Sequence, residues 1–266
     1  MPRIRHSFLL QKTQLAESAF QLQPSLFYPA LPDGIYSLFC PRPYERNYGY
    51  PLIVWLHGQG SDERQLLSIM PKLSIQNYVA VAPRGVCMQI KGSSGEVKEG
   101  FGWPQTYEHI LEVEQHIFDA IEAAAKKFHI SSERIFLAGF DSGGTMALRV
   151  ALSHPQYFAG IVSIGGAIPT CRRLLGNLPL ARKLSIFLAA GRNSHQYPED
   201  EVCENLRLLY AAGMLVTLRQ YPCGHELKAQ MLIDVNRWIM EQINSPNSTL
   251  NRNHVNNPDH AKLTLD

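Results

Sequence analysis

The segment Gly139-Phe140-Asp141-Ser142-Gly143 carries the most readable chemistry in this sequence. It joins the apolar run Ile135 to Ala138 to a stretch from Gly144 with helical spacing, which predicts a tight strand-to-helix turn. Such a turn strains its middle residue and brings strand and helix backbones together, so small residues are needed two positions before and after it. Gly139 and Gly143 meet that need around Asp141, giving the shape of a GxSxG nucleophile elbow with a carboxylate where the serine hydroxyl would stand. A carboxylate there can attack saturated carbon to give an alkyl ester, which water can hydrolyse. Its attack on a carboxylic ester gives a mixed anhydride of higher energy.

The run Ala138 to Gly144, with His154, Pro155, Phe158, Ala159 and Gly160 beyond it, resembles the phospholipase/carboxylesterase family. That family includes the acyl-protein thioesterases, and its members carry a motif like AGFSQGG followed by a small-residue helix and HP. The resemblance covers roughly residues 50 to 243. It implies an α/β-hydrolase fold, with a mostly parallel central sheet and helices on both faces in a three-layer sandwich. It also implies a cofactor-independent hydrolase, without a metal, acting on carboxylic esters or related small substrates.

The resemblance assigns further residues. Trp55-Leu56-His57-Gly58-Gln59-Gly60-Ser61 matches the loop that donates one oxyanion-hole amide, here that of Gln59; a plain turn would also use the two glycines. The second amide falls to Ser142, which heads a helix whose N-terminal end favours developing negative charge. Tyr221-Pro222-Cys223-Gly224-His225-Glu226 follows the last apolar run, where family members place the catalytic histidine, which makes His225 the general base. The acid motif GxxDxxxP aligns with Gly191 to Pro198 and puts Ser194 at the acid position. Serine and aspartate are thus exchanged between the two places.

Four readings of the exchange stand open. Asp141 acts as a carboxylate nucleophile on saturated carbon, as in dehalogenases and epoxide hydrolases of the same superfold. Ser142 serves as nucleophile, although the glycine frame centres on Asp141 and favours Ser142 as an amide donor. Asp141 orients His225 while Ser194 attacks, in an inverted triad with substrate access as its obstacle. Or the chain is a silent homologue that binds a small molecule or protein partner. A hydrolase acting from Asp141 and His225 is the leading expectation. A hydrogen-bond-length approach of these two side chains would favour it.

Other carboxylates near His225 in sequence are Glu199, Asp200, Glu201 and Glu226, each equally readable as a surface group. The run ending at Ile164 leads into Gly165, Gly166 and Ala167, so an alternative acid site there also lacks a carboxylate. Residues 85–106 read as a long glycine-rich loop around Phe101 and Trp103, either capping the pocket or pinned to the core by Trp103. The five cysteines are scattered without CxxC spacing, and Cys223 reads as a small buried apolar side chain.

The elements that position these residues are apolar runs alternating with amphipathic segments. Strands are predicted at Ile35–Cys40, Pro51–Leu56, Tyr78–Ala82, Arg134–Ala138, Ala159–Ile164, Leu184–Ala190 and Leu215–Tyr221. Helices are predicted at Tyr107–Phe128, Gly144–Ser153, Asp200–Ala212 and Glu226–Gln242, a repeated βαβ pattern. Residues 35–243 read as one domain, residues 1–34 as a peripheral arm, and the Asn-, Ser- and Pro-rich residues 244–266 as a disordered tail. A net charge of +2 without a basic run suggests no nucleic-acid partner, and no segment has membrane-span length. A soluble cytoplasmic chain with a small-molecule substrate or ligand is expected.

Overall fold

The computed structural model describes residues 27–28, 36–91, 95–169 and 178–245, apart from the side chains of 27, 28, 107 and 108. The predicted disordered tail beyond 245, and the arm except for residues 27–28, lie outside the described residues.

Eight strands form one sheet in the order β1-β2-β4-β3-β7-β8-β9-β10. They are β1 (Phe27–Tyr28), β2 (Tyr36–Phe39), β3 (Tyr50–Leu56), β4 (Val79–Pro83), β7 (Ile130–Phe140), β8 (Gly160–Ile164), β9 (Ser185–Gly191) and β10 (Leu215–Tyr221). From β4 to β10 every pairing is parallel, while β2 runs antiparallel to β4 and β1 antiparallel to β2. This is the expected α/β-hydrolase architecture. The predicted strands lie within a few residues of the observed ones. The segment read as an arm contributes β1 to the sheet edge.

Side-chain alternation along β3 explains why both faces are covered. Leu52, Val54 and Leu56 enter one apolar core; Ile53 and Trp55 enter the other. The first core is closed by helices α2 (Tyr107–Lys127) and α3 (Ser142–Ser153), and by Leu209 of α5 (Glu199–Ala211). The second is closed by α1 (Gln65–Leu73) and α6 (Ala229–Asn244). A short helix α4 spans Leu178–Ala181. Fully burying a large aliphatic side chain is worth about 1.5–3 kcal/mol, so these two layers dominate the stability of the fold.

Two elements differ from expectation. Helix α1 was not foreseen because Pro71 lies inside it, yet Leu66, Ile69, Met70 and Leu73 bury a helical stripe. The stretch expected as a loop at 85–106 contains an antiparallel hairpin, β5 (Val86–Lys91) with β6 (Val97–Gly102). Val86, Met88 and Ile90 are half-buried and alternate with exposed neighbours, but the glycines and charges of β6 hide that period in the sequence.

Candidate active site

The carboxyl ends of the parallel strands bring Gln59, Asp141, Ser142, Ser194 and His225 to one edge of the sheet, where open α/β sheets bind ligands. Asp141 ends β7 and caps α3 with φ 55° and ψ −125°, the only non-glycine residue at positive φ among the described residues. Such a conformation costs of order 1–3 kcal/mol and persists only where its surroundings enforce it. They do so here. A side chain on Gly139 would overlap the Gly143 backbone, and one on Gly143 would overlap the carbonyls of Leu56 and His57. The Asp141 amide donates to the Ile164 carbonyl at 2.8 Å, and its own carbonyl accepts from Thr145 at 3.1 Å.

The Asp141 carboxylate accepts the Gln59 amide on Oδ2 at 3.0 Å, and the neighbouring Ser142 backbone N–H favours its ionised form. Its Oδ1 lies 3.1 Å from Nε2 of His225. Burial alone would push this carboxyl pKa up. Hydrogen bonding from His225, Gln59 and the Ser142 backbone outweighs it and holds the pKa below the ordinary carboxylate value. The Ser142 hydroxyl is buried and makes no hydrogen bond among the described residues, so neither Asp141 nor His225 engages it.

On the far side of the imidazole, Nδ1 of His225 lies 3.0 Å from Ser194 Oγ, which also accepts the Tyr197 amide at 3.0 Å. Ser194 has one hydroxyl proton, and His225 Nδ1 is its only acceptor among the described residues. Neutral His225 is then assigned as the Nε2–H tautomer, donating to Asp141 and accepting from Ser194. In an esterase triad the tautomer is the reverse. Ser194 is only 5% exposed and does not line the cavity above Asp141. Two of the neighbouring carboxylates are engaged elsewhere: Glu226 pairs with Lys228 at 2.8 Å, and Glu199 accepts from Gln220 at 3.4 Å. Gly165, at φ 64°, passes under the His225 ring, where a side chain would crowd the imidazole.

A further set of residues, missed in the sequence, fixes the loop that carries Gln59. Buried His57 is held neutral: burial depresses its pKa, Nε2 accepts from the Gly85 amide at 2.9 Å, and Nδ1 is left to donate to the Gly58 carbonyl. Trp103 donates its indole N–H to the His57 carbonyl at 2.7 Å, and Phe101 of the hairpin accepts from the Gly60 amide at 2.8 Å. Arg84 binds both carboxylate oxygens of Glu63 at 2.6 Å and stacks over Phe101. Trp103 is thus pinned to the core, as one of the two readings of that loop had it. The fork formed by Arg84 and Glu63, far apart in sequence, left no local signal.

Above Asp141 opens a cavity of about 340 Å³ whose lining includes Gln59, Trp103, Gln105, Thr145 and Gln196. Among the described residues no group of three His, Cys, Asp or Glu side chains could hold a metal, and no helix is long and apolar enough to cross a membrane. The profile of the phospholipase/carboxylesterase family matches residues 45–243. The chain belongs to that family. Among relatives, it is 28% identical over 161 residues to NocK of Nocardia uniformis subsp. tsuyamanensis, which carries an esterase name. That match covers 57% of this chain and only 39% of NocK. It is 24% identical over 234 residues to Os04g0669500 of Oryza sativa subsp. japonica, which carries a carboxylesterase name, covering 80% of this chain and 86% of that one. The crystal structure of Arabidopsis thaliana SOBER1 superposes with a TM-score of 0.63 at 20% identity, over 73% of this chain and all (100%) of SOBER1. That likeness carries the fold.

Proposed function

We propose that this member of the family is a hydrolase of small molecules whose nucleophile is the Asp141 carboxylate, attacking saturated carbon instead of forming an acyl-serine. The observation that carries the reading is the seating of Oδ2 on the Gln59 amide at 3.0 Å while Oδ1 faces His225 at 3.1 Å. Attack through Oδ1 forms an O–C bond and expels the leaving group with its electron pair. The resulting ester has its carbonyl oxygen already on the Gln59 amide, with the Ser142 amide as the second donor of the proposed site. Water added at Cγ then develops its negative charge where those donors stand.

His225 takes the proton of that water. Alkylation removes the anionic acceptor from Nε2. The Ser194 hydroxyl, which can accept as well as donate, then supports the Nδ1–H tautomer and leaves Nε2 with a lone pair. A carboxylate at position 194 could not donate to Nδ1 in the resting state. The test is turnover of short epoxides and haloalkanes, beside aryl esters and thioesters, by wild type, Asp141→Ala and His225→Ala. Multiple turnovers in H₂¹⁸O are expected to leave ¹⁸O in the Asp141 carboxylate. Aryl-ester hydrolysis that survives Asp141→Ala would overturn the proposal.

A second reading, a silent homologue that keeps the cavity for binding, draws support from His225, both of whose ring nitrogens are occupied in the resting arrangement. It expects no turnover of any of these substrates by wild type.

A further inference from the structure

The polar groups facing the cavity above Asp141 differ in how far they are committed. Gln105 is fully used: its Oε1 accepts from Arg149 at 2.7 Å and its Nε2 donates to the Trp103 carbonyl at 3.0 Å. The carboxamides of Gln59 and Gln196 and the hydroxyl of Thr145 line the same cavity and have no protein partner among the described residues. Among the described residues Asp141 is the only ionisable side chain in the lining, and no Lys, Arg or His lines the cavity. The walls otherwise present Pro104, Ala167 and the edge of Trp103.

We infer that the molecule brought to Asp141 is small, uncharged and rich in amide or hydroxyl groups, and that carboxylates, phosphates and long acyl chains are excluded. This rests on Asp141 being the nucleophile. An amide or hydroxyl replaces the water on Gln59, Gln196 and Thr145 bond for bond. An acyl chain would strip that water and leave two carboxamides unpaired. An anion would approach the ionised Asp141 carboxylate with no cationic side chain among the described lining residues to offset the repulsion. The volume of about 340 Å³ lies in the range of small-ligand sites.

Bromoacetamide and bromoacetate, matched in size and leaving group, test the inference on the full chain. Oδ1 of Asp141 displaces bromide, forming the O–CH₂ bond as C–Br breaks; water at Cγ then releases the hydroxy compound and a proton and restores the carboxylate. His225→Ala is used so that the ester accumulates, and labelling is read at the Asp141 peptide by mass, relative to each reagent's rate with free acetate. Bromoacetate is expected to label Asp141 at least about tenfold more slowly, equivalent to about 1.4 kcal/mol of like-charge repulsion. Equal rates would overturn the inference and leave the nucleophile standing.

No label from either reagent would sink the nucleophile instead. The cavity's preference is then read without chemistry, from the side-chain ¹⁵N–¹H resonances of Gln59 and Gln196 during titration with succinamide or succinate. Shifts with succinamide alone support the inference; shifts of similar size with succinate overturn it.

Discussion

Exchanging the two residues back, Asp141→Ser with Ser194→Asp in one chain, is expected to create an aryl-ester hydrolase. Removing the carboxylate from the elbow frees the Gln59 amide, now occupied at 3.0 Å, and leaves the Ser142 amide available beside it for a substrate oxyanion. A serine in the same strained place faces Nε2 of His225, and an aspartate at 194 meets Nδ1 across the present 3.0 Å contact, with the Tyr197 amide as a second donor. That pairing sets the Nδ1–H tautomer a serine nucleophile needs. Loss of this orientation in a triad costs about ten-thousandfold in kcat, or about 5.5 kcal/mol. Asp141→Ser alone keeps a hydroxyl at 194 that supports either tautomer, so the double variant should exceed it by about a thousandfold or more. Ser194→Asp alone should stay inactive on aryl esters, with a carboxylate on each imidazole nitrogen. The assay is release of p-nitrophenol from its acetate, with circular dichroism and thermal melting to establish that each variant is folded. A folded double variant no faster than Asp141→Ser would refute the reasoning that the exchange controls the tautomer.

Ser194→Ala leaves the buried Tyr197 amide unpaired and should cost about 1–3 kcal/mol in urea unfolding, with Ser194→Thr recovering part of it. Gly143→Ala drives a methyl group into the Leu56 and His57 carbonyls and should destabilise by about 3 kcal/mol or more, or abolish soluble expression. Trp103→Phe removes the indole donor to the His57 carbonyl; a loss of about 1–2 kcal/mol is expected, with a shifted Gln59 amide resonance as its local readout. Asp141 and Glu63 both resist ionisation through burial yet are held below their ordinary pKa values, Asp141 by His225 and backbone amides and Glu63 by Arg84. The unfolded chain therefore binds their protons first. Their stabilisation is complete above about pH 5 and is lost as pH falls through their depressed folded values. Asp141→Asn and Glu63→Gln should each flatten that acid limb in urea titrations at successive pH values.

The parallel strands were legible because both faces of the sheet are covered, which turns each strand into a continuous apolar run such as Leu52 to Leu56. The elbow was legible because sterics demand glycine at 139 and 143 whatever residue stands between them. Helix α1 and the β5–β6 hairpin were not: Pro71 masks the first, and Gly100, Gly102 and the charges of β6 mask the second. The network of His57, Gly85 and Trp103 escaped as well. Its partners are ordinary residues whose value lies in a fold that brings a loop at 57–60 under a hairpin that closes at 102.

The exchange of serine and aspartate is visible in the sequence, but the tautomer that links the two positions is not. The geometry couples them through one imidazole. A carboxylate at 141 takes the Nε2–H, which obliges the partner of Nδ1 to donate; an aspartate at 194 cannot donate, and a serine can. Given Asp141, the hydroxyl at 194 satisfies both ring nitrogens without setting a second carboxylate, buried at 194, against one neutral imidazole. The two substitutions therefore act as one, and restoring either alone should recover less than restoring both.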